Sequence, residues 1–267
     1  PYASLMDAFQ EIIRQILAEN QNELDRWRDK LTAVLGHNAS VITELIPSLE
    51  LVIGKQPPVM ALAPTEALNR FHFAFKSFVG VFATKEHPLV LHLDDLQWAD
   101  LASLSLIQKL LADPDIRHFC IIGAYRDNEV STGHPLMEML EALRSGGTPL
   151  TSISLTPLSV EHIEQLIDDA LRCGTGRATP LAMLLFQKTE GNPFFLGQLL
   201  SALVNDGLIE FDAERGTYGW DIEKIRAFGL TRDIVELMVG KIKKLSPREQ
   251  KALELAACIG NHFDIRT

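Results

Sequence analysis

The residues most suited to chemistry lie in one stretch, PLVLHLDDLQWAD, at positions 88–100. Adjacent carboxylates, Asp94 and Asp95, end an apolar run, Leu89–Leu93, that only His92 interrupts. Such a run reads as a buried strand of a parallel sheet. Ligands of parallel sheets gather beyond the carboxyl ends of the strands. Neighbouring strand residues point to opposite faces, so the two like charges are expected to diverge and to take separate tasks. One can hold a hydrated Mg2+, a hard cation served by oxygen donors and often shared with nucleotide phosphates. The other can orient or deprotonate a water that attacks a phosphate. Taken alone, apolar residues followed by two aspartates also describe a strand end where solvated acids open a loop.

The surrounding pattern predicts the elements that would position these acids. Three short apolar runs, at 89–93, 119–124 (FCIIGA) and 152–155 (SISL), are separated by helical patterns. Between the first two, Asp100 is a good N-cap, and Leu104, Ile107, Leu110 and Leu111 form a buried stripe. Strand and helix in alternation predict βαβ crossovers and a parallel α/β sheet. Upstream, 4–18 is an amphipathic helix with Ser4 as N-cap, and a second helix runs to Leu35 and stops at Gly36. Residues 37–64 read as short helix plus loop. Residues 64–83 form a helix opened by Pro64, with Leu68, Phe71, Phe75, Phe78, Val79 and Phe82 on one face.

After Pro157 the pattern turns helical. Ser159 caps a helix with Ile163, Leu166, Ile167, Ala170 and Leu171 inward. GNPFFLGQLLSALVNDG is another helix, and LIEFDAERGTYGWDI reads as a β-hairpin around Gly216. Residues 231–245 are helical, and Ser246 with Glu249 forms a capping box ahead of the last helix. The expected organisation is an α/β core at 1–156, a helical lid region at 157–245 with its hairpin near 208–221, and the start of a helical or winged-helix domain at 246–267.

Bulk composition agrees with a packed globular chain. Of 267 residues, 46% are hydrophobic, and the net charge is -10. That charge argues against a general nucleic-acid surface. The basic cluster KIKKLSPREQK (241–251) reads as a solvated helix end. The three cysteines, none at metal-ligand spacing, suit a reducing, cytoplasmic setting with all three as small core residues. No apolar run approaches the about 18–20 residues of a membrane helix, so no membrane partner is expected. The chain opens on Pro1 directly before a helical pattern and stops just after another, so it is expected to be a piece of a longer polypeptide.

LDDLQWAD resembles the Walker B segment of STAND-type signalling ATPases, a branch of the AAA-related P-loop NTPases. It is most similar to the ATPase module of large bacterial multi-domain serine/threonine and histidine kinases and of related transcriptional regulators. CIIGAYRDNEV (120–130) resembles that family's sensor-1 segment. LTPLSVEHIEQLI resembles the stretch entering its helical lid, and GNPFFLGQLLSALVNDGLI its GxP-type segment. LSPREQKALELAACIGNHFD resembles the start of the region that follows.

The resemblance implies roles for matched residues. Asp94 would hold Mg2+ largely through water, and Asp95 would be the catalytic carboxylate. Arg126 would be the sensor-1 residue, its guanidinium forked on a phosphate. Alternatively, Arg126 pairs with Asp127 or Glu129. Pro193, after Gly191 and Asn192, would pack on adenine, while also being an ordinary first-turn proline. Trp98 reads as a packing anchor under the acidic loop. Gln97 and Asp100 read as supporting or capping residues, and His92 as a buried, hydrogen-bonded histidine.

The sequence departs from the family in one respect: no GxxxxGK[ST] occurs in it. That loop would supply phosphate-cradling amides, a lysine and a Mg2+ hydroxyl. The family's sheet places the loop's strand between 119–124 and 152–155, so unpaired edges are expected there. ATP and Mg2+ would therefore be used only together with that segment, and the 267 residues alone would bind and hydrolyse nucleotide poorly. Three functions stay open: an ATP-driven signalling switch joined to kinase, sensor or regulator domains and open to self-association; a nucleotide-independent scaffold; and part of a DNA-binding regulator. A P-loop encoded directly upstream separates the first two.

Overall fold

The computed structural model describes residues 2–174, 176–227, 239, 242–243 and 245–259. The expected helix at 231–245 lies mostly outside the described residues. The chain is mixed α/β and divides into two compact units, Pro1–Ser152 and Ile153–Thr267. A parallel two-stranded sheet and an antiparallel hairpin accompany the helices, consistent with part of a P-loop NTPase fold.

The first unit holds helices α1 (Ala3–Leu17), α2 (Gln21–Leu35), α3 (Ala39–Thr43), α4 (Glu50–Ile53) and α5 (Pro64–Phe82), then strand β1 (Leu89–Leu93), helix α6 (Leu101–Ala112), strand β2 (Phe119–Gly123) and helix α7 (Pro135–Ser145). Helix α1 begins at Ala3 rather than behind Ser4, with Tyr2 at the cap position. The Tyr2 amide donates to Ser103 Oγ at 3.1 Å, tying the start of α1 to the first turn of α6.

Phenylalanines spaced three and four apart on α5 build the core of this unit. Phe71, Phe75, Phe78, Val79 and Phe82 are buried, while Leu68 at the edge of the stripe is exposed. Phe9 of α1 meets Phe75 edge-on, with ring centroids 5.3 Å apart, and Phe78 meets Phe82 likewise at 5.1 Å. Each such pair contributes about 0.5–1.5 kcal/mol beyond the area it buries. Lys76, on the other side of α5, bonds Asp113 at 2.7 Å and Asp115 at 2.9 Å, just past the end of α6. Helix α6 buries Leu104, Leu106, Ile107 and Leu110, and Leu111 packs half-buried against the same core.

β1 and β2 pair in parallel, Leu89 with Phe119 through Leu93 with Gly123. Leu91 and Leu93 turn into the core, whereas Val90, His92, Cys120 and Ile122 are exposed. The strands are thus covered on one face, not both, and His92 lies on the open side of the pleat instead of buried. The cysteines are not core residues either: Cys120 and Cys258 are exposed and Cys173 is half-buried. The expected third strand does not form. Residues 151–158 have no regular structure, and Ile153 and Leu155 are 82% and 91% exposed. Among the described residues no strand offers residues 152–155 a ladder for their amides and carbonyls, so they stay solvated.

The second unit holds α8 (Val160–Leu171), α9 (Ala178–Thr189), α10 (Pro193–Asn205), β3 (Ile209–Asp212), β4 (Thr217–Trp220), α11 (Ile222–Ala227) and α12 (Pro247–Ile259). Ile163, Ile167 and Leu171 of α8 pack on Leu181, Ala182 and Leu185 of α9 and on Leu196, Leu199 and Leu203 of α10. Leu166 and Ala170 of α8, expected inward, are exposed because the buried stripe is only one residue wide per turn. β3 and β4 form the hairpin, Ile209 opposite Trp220, with Gly216 at φ 67° in its turn. Ser246 and Glu249 exchange bonds at the start of α12: the Ser246 amide donates to Glu249 Oε2 at 2.7 Å, and the Glu249 amide to Ser246 Oγ at 3.4 Å.

Candidate active site at the strand ends

The parallel register brings the chain out of β1 and β2 at the same end. Asp94 and Asp95 follow Leu93, and Tyr125 and Arg126 follow Gly123 with one residue between. Backbone bonds lock the two exits together. Ala124 N–H donates to Leu93 C=O, and Leu96 N–H donates to Ala124 C=O, each at 2.9 Å. Glycine at 123 serves this closure, since a Cβ there would lie 2.5 Å from Leu96 Cδ1.

β1 stops at Leu93, so both aspartates stand beyond the pleat and its alternation does not separate them. A turn does so instead. Asp95 adopts the left-handed conformation, φ 52° and ψ 41°, one that aspartate tolerates better than most residues. The Asp95 amide donates to Asp94 Oδ1 at 2.9 Å. Asp94 is exposed, and Asp95 is half-buried.

Gln97, in the short 3-10 turn Leu96–Trp98, is only 6% exposed. Its Nε2 donates to Asp95 Oδ1 at 2.8 Å. Its Oε1 accepts the Arg126 N–H at 3.3 Å. Its backbone carbonyl lies 3.1 Å from His134 Nε2. His134 caps α7, its Nδ1 accepting the Leu136 N–H at 3.1 Å. An N–H can only donate and a carbonyl only accept, so in this arrangement Nδ1 acts as acceptor and Nε2 as donor.

Arg126 makes the Glu129 ion pair that was one alternative for it, and also a contact with Asp95 that was not expected. Its Nη1 reaches Glu129 Oε1 at 3.0 Å, the ion-pair alternative, and its Nε stands 3.7 Å from Asp95 Oδ1. The guanidinium also lies 5.5 Å from the centre of the Trp98 ring. Trp98 is 62% exposed and carries this cation on its face, so it is no packing anchor. Asp100 is the N-cap of α6, its Oδ1 accepting the Ser103 N–H at 2.9 Å. Burial pushes its carboxyl up, but hydrogen bonds from Ser103 and from the Tyr2 amide outweigh this and hold it below the usual range.

Asn192 and Pro193 belong to the second unit and open α10. Asn192 Oδ1 accepts the N–H groups of Phe194 and Phe195 at 3.0 and 3.3 Å, and Pro193 takes the first helical position. Gly191 precedes them at φ 77°, with its carbonyl accepting the Leu158 N–H at 2.8 Å.

The donor set is small. Among the described residues no three His, Cys, Asp or Glu side chains converge to hold a metal. One exposed carboxylate, Asp94, suits a cation that takes most of its oxygens from water and phosphate, as Mg2+ does.

Residues 1–122 match the AAA ATPase domain family. The match covers Asp94, Asp95 and Gln97 and stops short of Arg126 and His134. A hybrid signal transduction histidine kinase, protein G of that series in Dictyostelium discoideum, is 29% identical over 328 residues. That alignment covers 99% of this chain and 9% of the relative, so the chain spans under a tenth of that protein's length. No solved structure matches the chain. No described helix is long and apolar enough to cross a membrane.

Sequence reasoning had missed His134. The signal was present: Pro135 at a first helical position makes the residue before it a capping candidate. Its contact with Gln97 spans 37 residues and leaves no mark in the sequence.

Proposed function

We propose that the strand ends form the catalytic half of an ATP site, and that the chain is an ATP-dependent switch within a larger signalling protein. The shared exit of β1 and β2, which delivers Asp94, Asp95 and Arg126 to one end of a parallel pair, is the observation that carries this reading. The AAA ATPase match and the likeness to a histidine kinase support it.

Asp94, exposed, would hold Mg2+ through water, and the metal would neutralise phosphate charge. Asp95 has one oxygen engaged by Gln97, which leaves Oδ2 to accept a proton from the attacking water or to orient it. Arg126 would exchange Glu129 and Asp95 for a phosphate, and return to them when that phosphate leaves. The 267 residues contain no GxxxxGK[ST], so the amides and lysine that grip phosphate would come from outside this stretch. Closure and release around ATP would pass to attached kinase, sensor or regulator domains.

The test uses the full-length protein. Asp95→Asn should retain Mg-ATP binding by calorimetry and lose turnover. Wild-type turnover in that variant would sink the assignment.

A further inference from the structure

We infer that Gln97 is the positioning residue for Asp95, and that His134 holds Gln97 in place from the start of α7. This rests on the reading of Asp95 as the catalytic carboxylate. Gln97 is among the few buried polar side chains of the described residues, and both ends of its carboxamide are engaged. Asp95 offers only acceptors and the Arg126 amide only a donor, so the carboxamide fits in one orientation. Nε2 must face Asp95 and Oε1 must face Arg126.

One side chain therefore fixes the carboxylate on the β1 exit and the backbone that carries the arginine on the β2 exit. The 3-10 turn bearing Gln97 is itself held by the His134 Nε2–H on its carbonyl. His134 uses its other nitrogen to cap α7, so the ring cannot rotate without losing a bond at both ends. The direction of Asp95 is thereby tied, through a part-buried chain of bonds, to the start of α7. Pre-set orientation of this kind acts on the chemical step more than on binding.

The experiment measures steady-state ATP turnover and thermal unfolding of the full-length protein. The variants are Gln97→Met, His134→Asn, their double, and Asp95→Asn in parallel. Methionine keeps the length of Gln97 without its bonds, and asparagine can still cap α7. Each single variant should lower kcat by about ten- to a hundredfold with KM for ATP within about twofold. The double should be no slower than Gln97→Met, because His134 acts through Gln97. Additive losses that track a falling unfolding temperature would mean that both residues only support the fold, and would overturn the inference. Unchanged or faster turnover in Gln97→Met, with Asp95→Asn inactive, overturns it while sparing the role of Asp95. Wild-type turnover in Asp95→Asn instead removes the reading on which it rests.

Discussion

Arg126 faces Asp95 across the two strand ends, its Nε 3.7 Å from Oδ1, while Glu129 holds the other arm of the guanidinium at 3.0 Å. The arginine is 58% exposed, so these pairs add little to stability. Arg126→Ala in the full-length protein should leave the unfolding temperature nearly unchanged and slow ATP turnover by about a hundredfold. Arg126→Lys should recover only part of that loss, since an ammonium cannot make the forked contact. Wild-type kinetics in Arg126→Ala would remove the arginine from the site.

The entrance to α10 admits only glycine. Gly191 has φ 77°, and a Cβ built there would lie 2.2 Å from the Leu158 carbonyl oxygen. Gly191→Ala should destabilise the second unit by about 2–4 kcal/mol, combining left-handed strain with a backbone clash. Hydrogen exchange should report the loss in α8–α10 and not in α5. Protection equal to wild type in α8–α10 would show that this junction relaxes freely.

Phe78 is fully buried between Phe9, Phe75 and Phe82. Phe78→Ala should cost about 3–5 kcal/mol, the range for an aromatic core truncation. Denaturant unfolding followed by a signal from the first unit checks this. A cost under 1 kcal/mol would mean that the α5 core collapses into the space.

The Lys76–Asp113 contact predicts a dependence on pH with a definite sign. The hydrogen bond from Lys76 holds the Asp113 carboxyl below its usual range, and the bonds to Asp113 and Asp115 raise the Lys76 ammonium. The Asp113 contribution is present above the unfolded carboxylate value, about 4, and disappears as pH falls through the lower folded value. The Lys76 contribution persists through neutral pH and disappears as pH rises through its elevated folded value. Asp113→Asn should therefore unfold earlier than wild type in urea at pH 7, and the two curves should converge as pH falls through the lowered folded value of Asp113. A gap that stays constant with acid would exclude this ion pair as its source.

The sequence made some parts of this molecule legible and hid others for physical reasons. The α5 phenylalanines announced themselves because the helical repeat places them on one stripe. Asp100, Ser159 and Ser246 announced helix starts because capping is local chemistry. Helix α9 escaped notice: Arg177 before it makes no side-chain cap, and Pro180 interrupts its first turn. The 152–155 run reads as a strand from its own residues, but a strand also needs a neighbour, and that lies beyond any local pattern. His92 was misread because one polar residue in a five-residue apolar run does not say which face of the strand is covered. At the candidate site, the acidic pair was visible as residue types. The bonds of Gln97 to Arg126 and His134 join positions 29 and 37 residues away and could only be seen in the fold.

The left-handed backbone of Asp95 also governs how this position can change over time. Glycine, asparagine and aspartate accept that conformation easily, while other residues lose about 1–2 kcal/mol in it. The two cheapest replacements for Asp95 thus both discard its charge, and the one that would keep a carboxylate, glutamate, is disfavoured by the turn. Under the role proposed for Asp95, a single base change would mute the chemistry while keeping the turn's backbone conformation. Active and silent copies of this domain would then share one backbone, and shape alone could not tell them apart.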